Sequence, residues 1–224
     1  MWNYINYYNM LMQKRLKLEL QQYGRSTDNK DVYCIDYDES DFSQVHAVIK
    51  GPVDSLYAYS FIRVKMEFND QYPFVPPKVT FYNHRATRIH PNLYGSGKVC
   101  LSILGTWQGP VWTSTMTIDT LLRTIQSLLD NEPMRHEPGM SNSPVYNHFV
   151  EREKWNTLLL SYLEHEQRPV LRNYMIENTR HAEKEIEAQI SAQANVPRPS
   201  GSLCYSNSAP TDSKLIWEKI KVFL

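Results

Sequence analysis

The sequence is poor in cysteine: of its 224 residues only Cys34, Cys100 and Cys204 carry thiols. Three scattered cysteines cannot staple a small secreted scaffold, so a disulfide framework is excluded and a reducing, intracellular setting is expected. Long apolar runs are also missing; nothing approaches the ~18 consecutive apolar residues that span a bilayer. The opening stretch, MWNYINYYNMLMQKR, has no basic region followed by an apolar one and a small-residue cleavage site, so no secretory signal is expected. Neither sign of charge is in excess, because 24 Lys and Arg balance 24 Asp and Glu. A neutral chain lacks the broad positive field that tracks phosphates, which disfavours nucleic acid as a partner. The seven His and three Cys show no paired-ligand spacing, so no metal site is expected. What the chain does have is apolar mass: 42% hydrophobic residues, with 15 Tyr among the aromatics, are ample for a packed core.

Periodicity divides that mass. From Asn6 to Tyr23, Leu11, Met12, Leu16, Leu18 and Leu20 recur among Lys, Arg, Glu and Gln, and Gly24 follows; this predicts an amphipathic helix with a glycine stop. Val32 to Ile35, Val45 to Ile49, Phe61 to Phe68 and Lys78 to Tyr82 are short, partly alternating runs separated by turn residues, which predict an antiparallel meander of four strands. Tyr72-Pro73-Phe74-Val75-Pro76-Pro77 lacks ladder donors and must be a rigid connector. His84 to Thr117 has little periodicity, and an irregular stretch of that length is often functional. Helices are predicted from Thr117 to Leu129, from Asn142 to Tyr162 and from Val170 to Ala194, the last with a thin apolar stripe that either packs or projects. Asn195 to Asp212, rich in Pro and Ser, reads as a flexible linker, and Lys214 to Leu224 as a short amphipathic helix that must dock to be stable. The fold class is α+β.

Chemistry concentrates in the run from His90 to Trp107, His90-Pro91-Asn92-Leu93-Tyr94-Gly95-Ser96-Gly97-Lys98-Val99-Cys100 at its head. It sets Cys100 just past a glycine-rich bend, beside Lys98. A thiol with a reference pKa of about 8.5 is already a serviceable nucleophile near neutrality. The bend brings Asn92 near it, where a side-chain amide suits a developing oxyanion. Spacing alone leaves the other reading open, that Cys100 is a small core residue. Gly95-Ser96-Gly97-Lys98 does not have the spacing of a phosphate loop, and no Gly-x-Ser-x-Gly elbow is present.

The run HPNLYGSGKVCLSIL resembles the active-site signature of ubiquitin-conjugating enzymes, in which an HPN tripeptide precedes the thioester-forming cysteine at the Asn92–Cys100 separation. The helix ending in Leu18-Glu19-Leu20, then Val45 to Pro52, then Tyr72 to Val79, resemble the family's landmarks in the right order. Gly105-Thr106-Trp107-Gln108-Gly109-Pro110-Val111-Trp112 and Glu137-Pro138-Gly139 make the likeness greatest to its type Z branch. The resemblance covers roughly residues 8–165 and implies a division of the chain: a UBC-like core domain over 8–165, a helical extension over 166–194, and a linker with a short amphipathic segment over 195–224.

The resemblance also implies roles. Cys100 accepts ubiquitin or a ubiquitin-like protein from an activating enzyme as a thioester and passes it to a substrate lysine or to a ligase. Asn92 is an oxyanion donor or a brace for the active-site loop, and His90 and Pro91 are structural in that loop. Glu137 stands where many relatives carry an aspartate that receives the incoming lysine. Phe74 faces the ligase, with Ser114 and Thr115 in place of the usual Pro-Ala pair. Gln108 to Val111 reads as an insertion, and Tyr59-Ser60 occupies a place commonly held by glycines. No cofactor is expected on this chain, since ATP is used by the activating enzyme. The implied setting is cytoplasmic, nuclear or both, with no membrane partner. The alternative reading is a non-catalytic ubiquitin-binding module on the same fold; a thiol hydrolase using Cys100 and His90 is a third.

Overall fold

The computed structural model describes residues 2–26, 28–194 and 212–224. Helix α1 (Trp2–Arg25) runs one residue beyond Gly24 and buries Met12, Leu16 and Leu20, spaced four apart, while Leu18 is left exposed. Four strands follow, β1 (Tyr33–Asp38), β2 (Asp41–Lys50), β3 (Phe61–Glu67) and β4 (Lys78–Phe81), paired antiparallel in sequence order. The meander read from the sequence is therefore present. Register sets Ile35, Ala47, Val64 and Phe81 in one row across the sheet and Asp36, His46, Lys65 and Thr80 in the next. Rows alternate between faces. The first row joins the core under helix α2 (Ile118–Ser127), to which Tyr33 is tied through its hydroxyl donating to Asp119 at 2.7 Å. Thr117 starts α2 as a capping box with Thr120.

Two helices expected to be continuous are broken. Asn142 to Tyr162 resolves into α3 (Pro144–Trp155), a fully buried π turn (Asn156–Leu160) and α4 (Ser161–His165). Burial runs unbroken from Lys154 to Leu163, so this stretch is enclosed on all sides rather than along one stripe. Val170 to Ala194 divides into α5 (Pro169–His181) and α6 (Glu183–Ala194), because Ala182 at φ −107, ψ 19 leaves the helical region. The thin stripe packs rather than projects: Leu171, Met175, Ile186 and Ile190 are buried. Helix α5 lies over the outer face of β1 and β2, so both faces of β2 are covered.

That outer face is polar beneath α5. Arg63 of β3 donates to Glu166 at 2.5 Å and to His46 Nδ1 at 2.9 Å, and its guanidinium lies 4.6 Å from the Tyr82 ring centroid. Arg168 pairs with Asp36 at 2.5 Å. Helix α7 (Ser213–Lys221) docks through Ile216, Trp217 and Ile220, meeting the requirement that so short a helix find a partner. The linker read over 195–212, Asp212 apart, and Cys204 lie outside the described residues. Tyr59 accounts for the missing glycine at that position: it adopts φ 62, the left-handed region glycine favours, while Ser60 folds back to donate to Tyr57 O at 2.7 Å.

Candidate active site

The irregular stretch is held by backbone contacts that only small residues permit. Gly95 presses on the Ala86 carbonyl, where a Cβ would sit 2.4 Å from the oxygen, and Gly97 turns at φ +89. Between these turns and α2 the chain makes two flanking attachments to Cys100. On one side the Cys100 N–H donates to Asn92 O at 2.9 Å, and Asn92 Nδ2 donates to Cys100 O at 2.8 Å. On the other, Thr106 Oγ1 accepts from the Leu101 N–H at 2.9 Å and donates to Val99 O at 2.7 Å. Every peptide group from Val99 O to Leu101 N is thereby engaged. In this arrangement Asn92 is a brace; its Oδ1 is buried without a partner.

His90 is fully buried and structural in its contacts. Its Nδ1 accepts from the Asn92 N–H at 3.0 Å, so the proton sits on Nε2, which donates to Leu128 O at 3.0 Å. Burial, with His136 nearby, pushes its pKa down to about 3, so the ring is neutral. With both nitrogens occupied, His90 has no lone pair for Cys100, which removes the geometry a Cys–His hydrolase requires. Pro91 is buried, and its carbonyl accepts from Arg88 at 2.8 Å.

The Cys100 residue is only 1% exposed. Tyr94, partly exposed, lies within electrostatic reach of it: the Tyr94 pKa is raised first by burial and further by Cys100 and Glu137, with Arg88 opposing. Over the Tyr94 ring lies the Arg88 guanidinium, 4.3 Å from the centroid, with Lys98 Nζ at 5.7 Å. Arg88 also donates to Glu137 Oε2 at 2.8 Å. Glu137 caps the 3-10 turn Pro133–His136, which carries it beside the HPN segment. The structure thus gathers Cys100, Asn92, His90, Pro91 and Glu137 into one site. It adds Tyr94, Arg88 and Thr106, which the reading of the sequence did not single out. Tyr94 and Thr106 stood within the quoted motif; Arg88 sits in an aperiodic stretch, 49 residues from Glu137, with no local signal.

A second group lies apart from the first. Phe74 is 66% exposed at the tip of the proline connector. Its loop is tied to the one carrying Ser114 by Trp112, whose indole donates to Pro73 O at 2.7 Å. Trp112 is buried as a packing residue, whereas Trp107 is exposed. Gly109, at φ +134, brings the Gln108–Val111 insertion against the Ser102 side chain, two residues past Cys100. Among the described residues no helix is long and apolar enough to cross a membrane.

The site thus sets one cysteine in a doubly braced loop, while the nearby histidine, His90, has both ring nitrogens engaged elsewhere. The ubiquitin-conjugating enzyme family model matches residues 15–157, and the chain belongs to that family. It is 37% identical over 135 residues to ubiquitin-conjugating enzyme E2 Z of Danio rerio, an alignment covering 57% of this chain and 41% of that protein. The Homo sapiens E2 Z is 36% identical over 57% of this chain and 38% of its own length. A ubiquitin-conjugating enzyme E2 of African swine fever virus is 33% identical over 54% of this chain and 57% of its own. The type Z likeness is thus present across the matched region, and the chain spans about two-fifths of the length of the E2 Z relatives.

Proposed function

We propose that this chain carries ubiquitin or a ubiquitin-like protein as a thioester on Cys100, received from an activating enzyme and passed to a substrate lysine or to a ligase. The observation that carries the reading is the brace on both sides of Cys100, placed as the family's HPN signature requires. A backbone held at every peptide group keeps the sulfur in one place through charging and discharge, so little reorganisation is needed at the reacting centre. Asn92 braces the loop and keeps a second amide hydrogen for the oxyanion; Glu137 receives the acceptor amine; Phe74 and Ser114 face the ligase. The UBC-like unit over 8–165, its helical extension over 166–194 and the terminal segment over 195–224 are proposed as one working chain. No cofactor of its own enters this scheme.

Incubation with ubiquitin, ATP and an activating enzyme is expected to give an adduct one ubiquitin heavier that thiol reductant removes. Running the assay across several modifiers and activating enzymes identifies the cognate pair. Cys100→Ala is expected to abolish the adduct, and an undiminished, reductant-sensitive adduct in that variant overturns the assignment. Retention of modifier binding without any adduct in the native chain favours the non-catalytic module instead.

A further inference from the structure

The Glu137 carboxylate poses a problem for the reaction just proposed. A lysine reaching the thioester has a reference pKa near 10.4 and arrives as an ammonium, which has no lone pair. A solitary carboxylate at the site would hold it in that unreactive form, because an opposite charge favours the charged state. Here the carboxylate is not solitary. Arg88 donates to Glu137 Oε2 at 2.8 Å and to Pro91 O at 2.8 Å, and its guanidinium lies 4.3 Å from the ring centroid of Tyr94, a side chain within electrostatic reach of Cys100. Its own carbonyl is held by the Tyr146 hydroxyl at 3.0 Å. Through Glu137, Pro91 and Tyr94 this fixed cation is anchored to the segment that braces Cys100. Lys98 lies on the same ring at 5.7 Å but is exposed, so solvent screens it, and His136, packed on neutral His90, pairs with Asp130 at 2.9 Å.

We propose that Arg88 is a positioning residue for lysine transfer: it offsets the charge of Glu137, so that the acceptor meets the thioester as a neutral amine still oriented by the carboxylate oxygen. The proposal rests on the thioester reading above. In the step itself the lysine nitrogen bonds to the thioester carbonyl carbon, the carbon–sulfur bond breaks, and Cys100 leaves as thiolate. The nitrogen loses its proton through Glu137 and solvent, and the thiolate regains one, leaving an isopeptide and a free thiol. A like charge also favours the neutral amine directly. A fixed charge about 10 Å from the acceptor nitrogen, at an effective dielectric of about 20, moves a titration by about one unit.

The test is single-turnover discharge of the charged chain to Nα-acetyl-lysine as a function of pH, beside discharge to hydroxylamine, which is uncharged near neutrality. Arg88→Gln is expected to move the lysine midpoint up by about one pH unit, for a loss of about tenfold at neutral pH, with hydroxylamine discharge within about twofold of the unsubstituted chain. Arg88→Lys, which keeps the charge, is expected to retain the midpoint. Glu137→Gln removes that negative charge and is expected to move the midpoint down while raising the lysine concentration needed for half-saturation. Equal losses for lysine and hydroxylamine with an unmoved midpoint make Arg88 a structural residue only and overturn the proposal. If Arg88→Gln does not fold, an unmoved midpoint in Glu137→Gln overturns it alone. Failure of the unsubstituted chain to form the adduct overturns the thioester reading, and this proposal with it; normal charging with unmoved midpoints overturns only the role of Arg88.

Discussion

At the scale of single residues, the site depends on a few side chains that bond to backbone rather than to one another. Thr106 is the plainest case. Its outer surface is exposed, yet its hydroxyl serves the peptide groups on both sides of Cys100. Thr106→Val keeps the shape and removes the hydroxyl, stranding a donor and an acceptor at a part-buried position. The expected loss is about 1–3 kcal/mol of stability, read from urea unfolding, with Thr106→Ser close to the unsubstituted chain. A loss in Ser equal to that in Val would assign the effect to the methyl group instead. Nothing in the local sequence marked Thr106, because a hydroxyl in a loop is ordinary until its partners are known. Arg88 was hidden for a different reason: all its significance comes from a carboxylate that only the tertiary fold brings near. Cys100, Asn92 and Glu137 were legible through their motif, which fixes order and spacing but not hydrogen bonds.

At the scale of elements, legibility followed periodicity. The four-residue steps in α1 survive into the structure as its buried face, and the alternation in Phe61 to Phe68 survives as a strand whose Ile62, Val64 and Met66 enter the core while Phe61 and Arg63 are buried on the opposite face. The breaks did not show. Neither the π turn at Asn156–Leu160 nor the bend at Ala182 carries Gly or Pro, so packing, not propensity, decides them. The outer sheet face offers the sharpest element-level test. Arg63 and Glu166 are both nearly inaccessible, and Glu166 reaches the sheet from the segment joining α4 to α5. Truncating one partner of a buried pair leaves an uncompensated charge, so Glu166→Ala is expected to cost about 3–5 kcal/mol in urea unfolding. Pairing it with Arg63→Met is expected to recover part of that loss. A cost below about 1 kcal/mol would mean that water reaches Arg63 and that α5 rests lightly on the sheet.

At the scale of the whole molecule, buried neutral histidines make the fold sensitive to acid. Burial, together with Arg63, lowers His46 to about 4, and burial lowers His90 to about 3. In the unfolded chain both titrate near 6.5, so below that value the unfolded state binds protons that the native state refuses. Their stabilisation is complete above about 6.5 and is lost as pH falls towards 4 and then 3, at about 1.4 kcal/mol per unit for each ring. Urea midpoints measured between neutral and mildly acidic pH are expected to fall accordingly, and His46→Gln is expected to remove about half of what these two rings contribute, with His84, also lowered by burial, adding to the remainder. A flat profile over that range would show that both rings take up a proton in the folded state, and a halved slope that one does.

The docking of α7 has an optical consequence. Trp217 is 5% exposed and its indole donates to Glu187 of α6 at 3.1 Å, while Trp155, at the end of α3, donates to Gln193 of the same helix at 3.1 Å. Two of the five tryptophans thus face α6 from opposite partners. Their emission colour carries a built-in record of whether the C-terminal helices are seated, legible without any added label.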